Sequence, residues 1–172
     1  MQRSLIRSIQ RATITIAGGS TSNTATITSV DVTNSVLRYL GTEIAGADTT
    51  PDIVACRVAF TNATTITATV NTVGAGNRIV SFEVIEYWPG VLRSVQRGTV
   101  TTTGSSTGTA TITSVTTTKA TLDFLGFTTT YAGGTLVGHA LADVVLTNAT
   151  TVTANGLGAI DRTVGFQVTE WY

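Results

Sequence analysis

An all-β fold, built as two tandem six-stranded antiparallel β-sandwich domains, is predicted by three features of this 172-residue sequence. Short stretches alternate apolar and polar residues and are rich in Val, Ile and Thr, which is the pattern of half-buried strands. No window of ten or more residues carries a helical period, and β-branched residues are poor helix formers. Phrases also recur along the chain. Ser8-Ile9-Gln10-Arg11 returns as Ser94-Val95-Gln96-Arg97, and the segment 24–30 returns at 109–115. Thr61-Asn62-Ala63-Thr64-Thr65 returns at 147–151, and Phe82-x-Val84-x-Glu86 at Phe166-x-Val168-x-Glu170. The offsets stay between 84 and 86 residues, as expected for one fold written twice with small loop changes.

In chain order, residues 9–16 form the first strand, with Gln10, Ala12, Ile14 and Ile16 on one face and Arg11, Thr13 and Thr15 on the other. A Gly/Ser-rich turn at 18–23 leads to a second strand at 24–30. The segment 31–34 turns the chain into a third strand at 36–40, closed by Gly41 and followed by a polar loop over 42–52. A fourth strand at 53–60 points Val54, Cys56, Val58 and Phe60 inward and Arg57 outward. After the Asn62-Ala63 turn comes a fifth strand at 65–70, then a Gly-bearing loop at 72–77. The sixth strand, 79–87, directs Val80, Phe82 and Val84 inward. The second copy repeats the scheme at 95–103, 109–115, 120–125, 139–146, 151–155 and 163–171. The domains are therefore expected at 1–89 and 90–172, with Pro89-Gly90 as the whole linker, too short to allow much relative freedom.

Ten basic and ten acidic residues leave no formal net charge. Both copies are separately neutral, so the basic stripe of a nucleic-acid binder is missing and no nucleic-acid partner is expected. Few charges on a small protein also offer little electrostatic resistance to association. No run approaches the roughly 18 apolar residues of a membrane helix, so no membrane partner is expected. The first residues carry no long apolar stretch, so no cleaved signal peptide is expected. With Cys56 alone and His139 the one histidine, no disulfide framework, metal site, cofactor site or nucleophile–base set is visible. His139 matches Ile53 of the first copy and Cys56 matches Ala142, so each is read as structural. The Gly-rich stretches lack a following Lys and are read as turns, not phosphate loops. Both Asn-Ala-Thr triplets are read as turn residues too.

Two sets of residues stand out. Gln10, Glu86, Gln96 and Glu170 share the parity of buried neighbours in both copies. A carboxylate there needs donors, and the expectation is a structural pair, Gln10 with Glu86 and Gln96 with Glu170. Ligand binding at an open mouth, or a salt bridge to a partner chain, is the alternative. The second set consists of differences between the copies. Arg38 matches Asp123, and Arg57 matches Asp143. Both positions face outward and both reverse sign, so these four are interface candidates that fix how copies meet, within or across chains.

A Gln near the first strand, a central Thr-Asn-Ala-Thr-Thr turn and a final Phe-x-Val-x-Glu-Trp-type strand resemble the six-stranded sandwich of H-type lectins. The resemblance covers both copies. The Ser-Ile-Gln-Arg and Thr-Asn-Ala-Thr-Thr phrases also resemble virion proteins of tailed bacteriophages. These resemblances imply a non-enzymatic structural protein, located on the virion and made in the host cytoplasm, that assembles as a homotrimer. It would act as a capsid decoration or tail-accessory protein with other virion proteins as partners. They also leave open a carbohydrate-binding or host-receptor module. In that case a surface glycan would contact the loops 42–52 and 127–138, with Trp88 and Tyr131 available to stack on sugar.

Overall fold

The computed structural model describes residues 4–46, 48–133 and 141–172. The strands are β1 (Ile6–Ile16), β2 (Ser22–Thr26), β3 (Ser35–Ala45), β4 (Arg57–Asn62), β5 (Thr65–Thr69) and β6 (Asn77–Tyr87). They continue with β7 (Leu92–Thr102), β8 (Thr107–Thr111), β9 (Ala120–Thr129), β10 (Ala142–Asn148), β11 (Thr151–Gly156) and β12 (Arg162–Trp171). A one-turn helix α1 (Pro51–Val54) precedes β4, and 3-10 turns at Val32–Asn34 and Thr117–Lys119 precede β3 and β9. The fold is all-β and sandwich-like, with antiparallel pairing throughout.

Three sheets result, in the orders β1-β6-β3, β10-β11-β8 and β2-β5-β4-β9-β12-β7. One apolar core gathers Ile14 and Ile16 of β1, Leu37 of β3, Val58 of β4, Ile66 and Ala68 of β5, and Val80, Phe82 and Val84 of β6. A second gathers Val100, Val152, Ala154, Val164, Phe166 and Val168 from β7, β11 and β12. The inward positions expected on the sixth strand, Val80, Phe82 and Val84, are completely buried. The sheet containing β4 and β9 is continuous across Pro89-Gly90. Its join is short, one bridge at Arg57 and Gly126 and a hydrogen bond from Phe127 N to Cys56 O of 3.1 Å.

Element boundaries differ from the sequence expectation where local chemistry intervenes. The second strand stops at Thr26 because Ile27 N and Val30 N turn to the carbonyls of Thr64 and Ala63. The third continues to Ala45, past a bulge between Tyr39 and Gly41. Gly41 absorbs that bulge at φ +122°, which a residue with a Cβ rarely adopts. Residues 53–56 are not strand. Pro51 fits the first turn of a helix, and Ala55 N closes that turn on Pro51 O. Of the strand expected at 139–146, the described portion begins at Ala142, and His139 lies outside the described residues. The duplicated Asn turns form as read. Asn62 Oδ1 accepts from Thr64 N and Asn148 Oδ1 from Thr150 N, both at 2.9 Å, a local Asx bond that sets the hairpin.

Candidate assembly interface

Glu86 and Glu170 are buried and act as cross-ties. Glu86 accepts from Asp31 N at 2.9 Å and from Ser8 Oγ and Arg7 Nη1 at 3.1 Å. Glu170 accepts from Thr116 N at 2.8 Å, with Ser94 Oγ and Arg93 Nη1 at 3.5 Å. Each carboxylate thus fastens the turn before β3 or β9 to the start of β1 or β7. The expected Gln–Glu bonds do not form. Gln10 exchanges two hydrogen bonds with the backbone of Thr28 (2.9 and 2.7 Å), and Gln96 does the same with Thr113. The ladder explains the separation: Gln10 lies opposite Val84, whereas Glu86 lies opposite Ser8. Both residues are structural, but each ties a different segment.

The Thr116 backbone N–H, followed by neighbouring side chains and Arg93, holds the Glu170 carboxyl below its ordinary value. Burial pushes Asp123 the other way. A depressed acid binds its proton more readily when unfolded. Its contribution is therefore complete above the ordinary Glu value of about 4.3 and is lost as pH falls through the folded value. Glu170→Gln is expected to lower stability at neutral pH and to flatten the acid limb of denaturant midpoints measured between about pH 6 and 3. An acid limb as steep as that of the unaltered chain would contradict this role.

An extended polar contact lies where the N- and C-terminal halves of the chain meet. Arg97 of β7 extends across the boundary. Its Nη1 donates to Val32 O at 3.0 Å, its Nη2 to Ser35 O, and its Nε to Gln167 Oε1 at 2.7 Å. Gln167 Oε1 also accepts from Leu37 N at 3.1 Å, and its Nε2 donates to Asp123 Oδ2 at 3.1 Å. The Arg97 guanidinium sits 4.8 Å from the Phe60 ring centroid, a favourable cation–π placement. Burial pushes Arg97 down to about 10, so it is charged at neutral pH. Matched positions also meet directly: Tyr39 stands edge-on to Phe124 at 6.3 Å, and Tyr87 to Trp171 at 5.3 Å.

Of the four charge-reversed candidates, three reach this junction. Asp123 bonds Gln167, and the charges of Arg38 and Arg97 both favour its ionised form. Arg38 lies 3.4 Å from Glu83. Arg57 lays its stem against Gly165, in a cleft that Leu125 also lines. Asp143 is elsewhere, on β10, where it accepts from Asn155 Nδ2 at 2.9 Å. The Arg57–Asp143 pairing therefore does not form within one chain, because β4 is held against β9 while β10 is the terminal strand of another sheet among the described residues.

The sequence pattern alone does not mark Arg97 or Gln167 as junction residues. The available signal was Glu83 matching Gln167. In the N-terminal half Glu83 is bound by Arg11 at 2.6 Å and by Arg38. A neutral amide in its place can both accept from and donate to a neighbouring strand.

Other candidates are structural or open. Cys56 is buried, and burial raises its thiol, so it stays protonated and unreactive. Trp88 is exposed, under the Arg7 guanidinium at 5.5 Å, beside a cleft of about 740 Å³ lined by Leu5, Ile6 and Val91. Of the two loops considered for recognition, 42–45 belongs to β3, 51–52 to α1 and 127–129 to β9. Residues 47 and 134–138 lie outside the described residues. Tyr131 O accepts from Asp52 N at 3.1 Å, fastening α1 to the segment after β9. Among the described residues no group of three His, Cys, Asp or Glu is placed to hold a metal ion, and no helix is long and apolar enough to cross a membrane. Comparison with protein-family models, curated proteins and solved structures gives no match.

Proposed function

We propose that this protein is a structural, non-enzymatic component of a tailed-phage virion, a capsid decoration or tail-accessory protein that works by assembling as a homotrimer. In this reading residues 1–89 and 90–172 are duplicated sandwich domains, and a trimer presents six similar β-domains to a quasi-symmetric shell or tail. The observation that carries the assembly part is the Arg97–Gln167 junction. It fixes the two halves in one orientation through buried, directional hydrogen bonds, and such geometry serves register more than turnover. The virion location rests on the sequence resemblance. The mechanism is passive clamping of neighbouring subunits.

The exposed Trp88 beside its cleft favours a second reading, carbohydrate or host-receptor recognition, since an accessible indole can stack on a sugar face. Two assays on one preparation separate these readings. Immunogold labelling of purified virions is expected to decorate heads or tails at regular positions, while a glycan array gives no saturable signal. Saturable glycan binding with unlabelled particles would overturn the structural assignment.

A further inference from the structure

The contact between the two halves is one-directional. The N-terminal half supplies the carbonyls of Val32, Ser35 and Cys56 and the Leu37 N–H, and the C-terminal half supplies Arg97, Gln167 and the bulge at Leu125-Gly126. Among the described residues the reciprocal surfaces are unoccupied. Leu125 is 3 % exposed, but its match Leu40 is 53 % exposed. Ser35, Val36 and Leu37 are buried, but their matches Ala120, Thr121 and Leu122 are not. A Cβ on Gly126 would sit 3.0 Å from Arg57 Cα and closer still to the Cys56 carbonyl, whereas a Cβ on Gly41 meets nothing within 4 Å. Among the described residues β3 and β10 are terminal strands of their sheets, and β10 exposes Val145 beside the exposed Leu141. Free edges of this kind are usually covered or blunted.

We propose that a second copy of this chain docks β10 and its 117–123 segment onto the β3 edge and the outer face of β1-β6-β3, repeating the contact that joins the halves. This rests on the reading of the halves as equivalent assembling units. Thr42 N then donates to Ala142 O of the second copy, as Phe127 N does to Cys56 O. Arg11 reaches the carbonyls of Thr117 and Ala120, as Arg97 reaches those of Val32 and Ser35. Glu83 accepts from Leu122 N, as Gln167 accepts from Leu37 N.

Charge supports this occupant. The receiving face carries Arg11 and Arg38 with Glu83 and Glu43, and the incoming elements carry Asp123 and Asp143 with Lys119. Within the chain, Arg57 and Arg97 line one cleft as like charges. Across chains Asp143 takes the place of Arg57 and meets Arg11, so the repulsive pair becomes attractive. This gives the Arg57/Asp143 reversal a role between chains that it lacks within one. A heterologous contact of this kind closes into a ring or extends as a filament, according to its rotation.

Two variants test it. Leu40→Glu alters an exposed side chain, so the fold by circular dichroism should not change, while self-association weakens at least about tenfold. Leu40→Cys combined with Asp143→Cys should form a reducible interchain disulfide much faster than either single variant. If Leu40→Glu keeps the native mass of the unaltered protein, or the double-cysteine chain cross-links no faster than the singles, these edges are not the contact. If the unaltered protein is itself monomeric, the assembly reading fails first, and the two failures are distinguishable.

Discussion

Replacing Arg97 with alanine is expected to destabilise the chain by about 3 kcal/mol, because the guanidinium is the shared donor for a buried set of acceptors. Its removal strips the carbonyls of Val32 and Ser35 of their side-chain donor and deprives Gln167 Oε1 of one of its two donors. Asp123 loses one of the two cations that favour its charge. Urea unfolding should report the loss, and protease should cut faster near residues 88–91 if the halves part. Arg97→Lys keeps the charge but not the planar fork that spans three acceptors, and should recover less than half of the loss. The matched Arg11→Ala is the control. Arg11 is 66 % exposed and, among the described residues, pairs with Glu83, so its cost should stay below about 1 kcal/mol. Equal losses for Arg11→Ala and Arg97→Ala in the monomeric chain would refute the junction as the source of the difference.

Gly126→Ala is expected to be of similar severity through two additive causes. Gly126 has φ +83°, where a side chain costs roughly 1–2 kcal/mol. Its Cβ would also press on the backbone of Cys56 and Arg57, and overpacking of this kind costs a further ~1–3 kcal/mol. A clash with backbone cannot be relieved by a rotamer change, so the β4–β9 join must open. Gly41→Ala meets only the conformational cost, since the space beside Gly41 is empty. At concentrations low enough to keep the chain monomeric, Gly126→Ala should therefore have the clearly lower denaturant midpoint. Equal midpoints would mean that the β4–β9 join contributes little to holding the halves.

Much of the fold was legible because its causes are local. Alternation placed Val80, Phe82 and Val84 in the core, and the repeated Asn-Ala-Thr phrase marked two Asx turns. Pro51 was visible too, but its consequence was missed: the apolar pattern over 53–60 continues smoothly through the helix-forming turn. The polar candidates show the limit of parity. Parity correctly buried Glu86 and Glu170, yet side-chain length and ladder offset decide which donor each one meets. Gln10 therefore reaches Thr28 and not Glu86.

The junction was the least legible feature, because it depends on how the N- and C-terminal halves of the chain dock and not on either half alone. Arg11 and Arg97 read identically in sequence. One is solvated beside Glu83, and the other is buried against the neighbouring half. What distinguishes them is Glu83 becoming Gln167, a change of one atom type that lets the second face exchange hydrogen bonds with Leu37. Of the positions where the repeated phrases differ in charge, Arg38, Arg57 and Asp123 lie at the boundary between the halves, and Asp143 lies away from it on β10.

Native mass spectrometry of the unaltered protein tests the central claim most directly. If the junction is repeated between chains as a closed trimer, the dominant species is three times the 17.8 kDa chain, about 53 kDa, and it dissociates in Leu40→Glu. A dominant 17.8 kDa species at micromolar concentration, with both edges unpaired, would contradict the account.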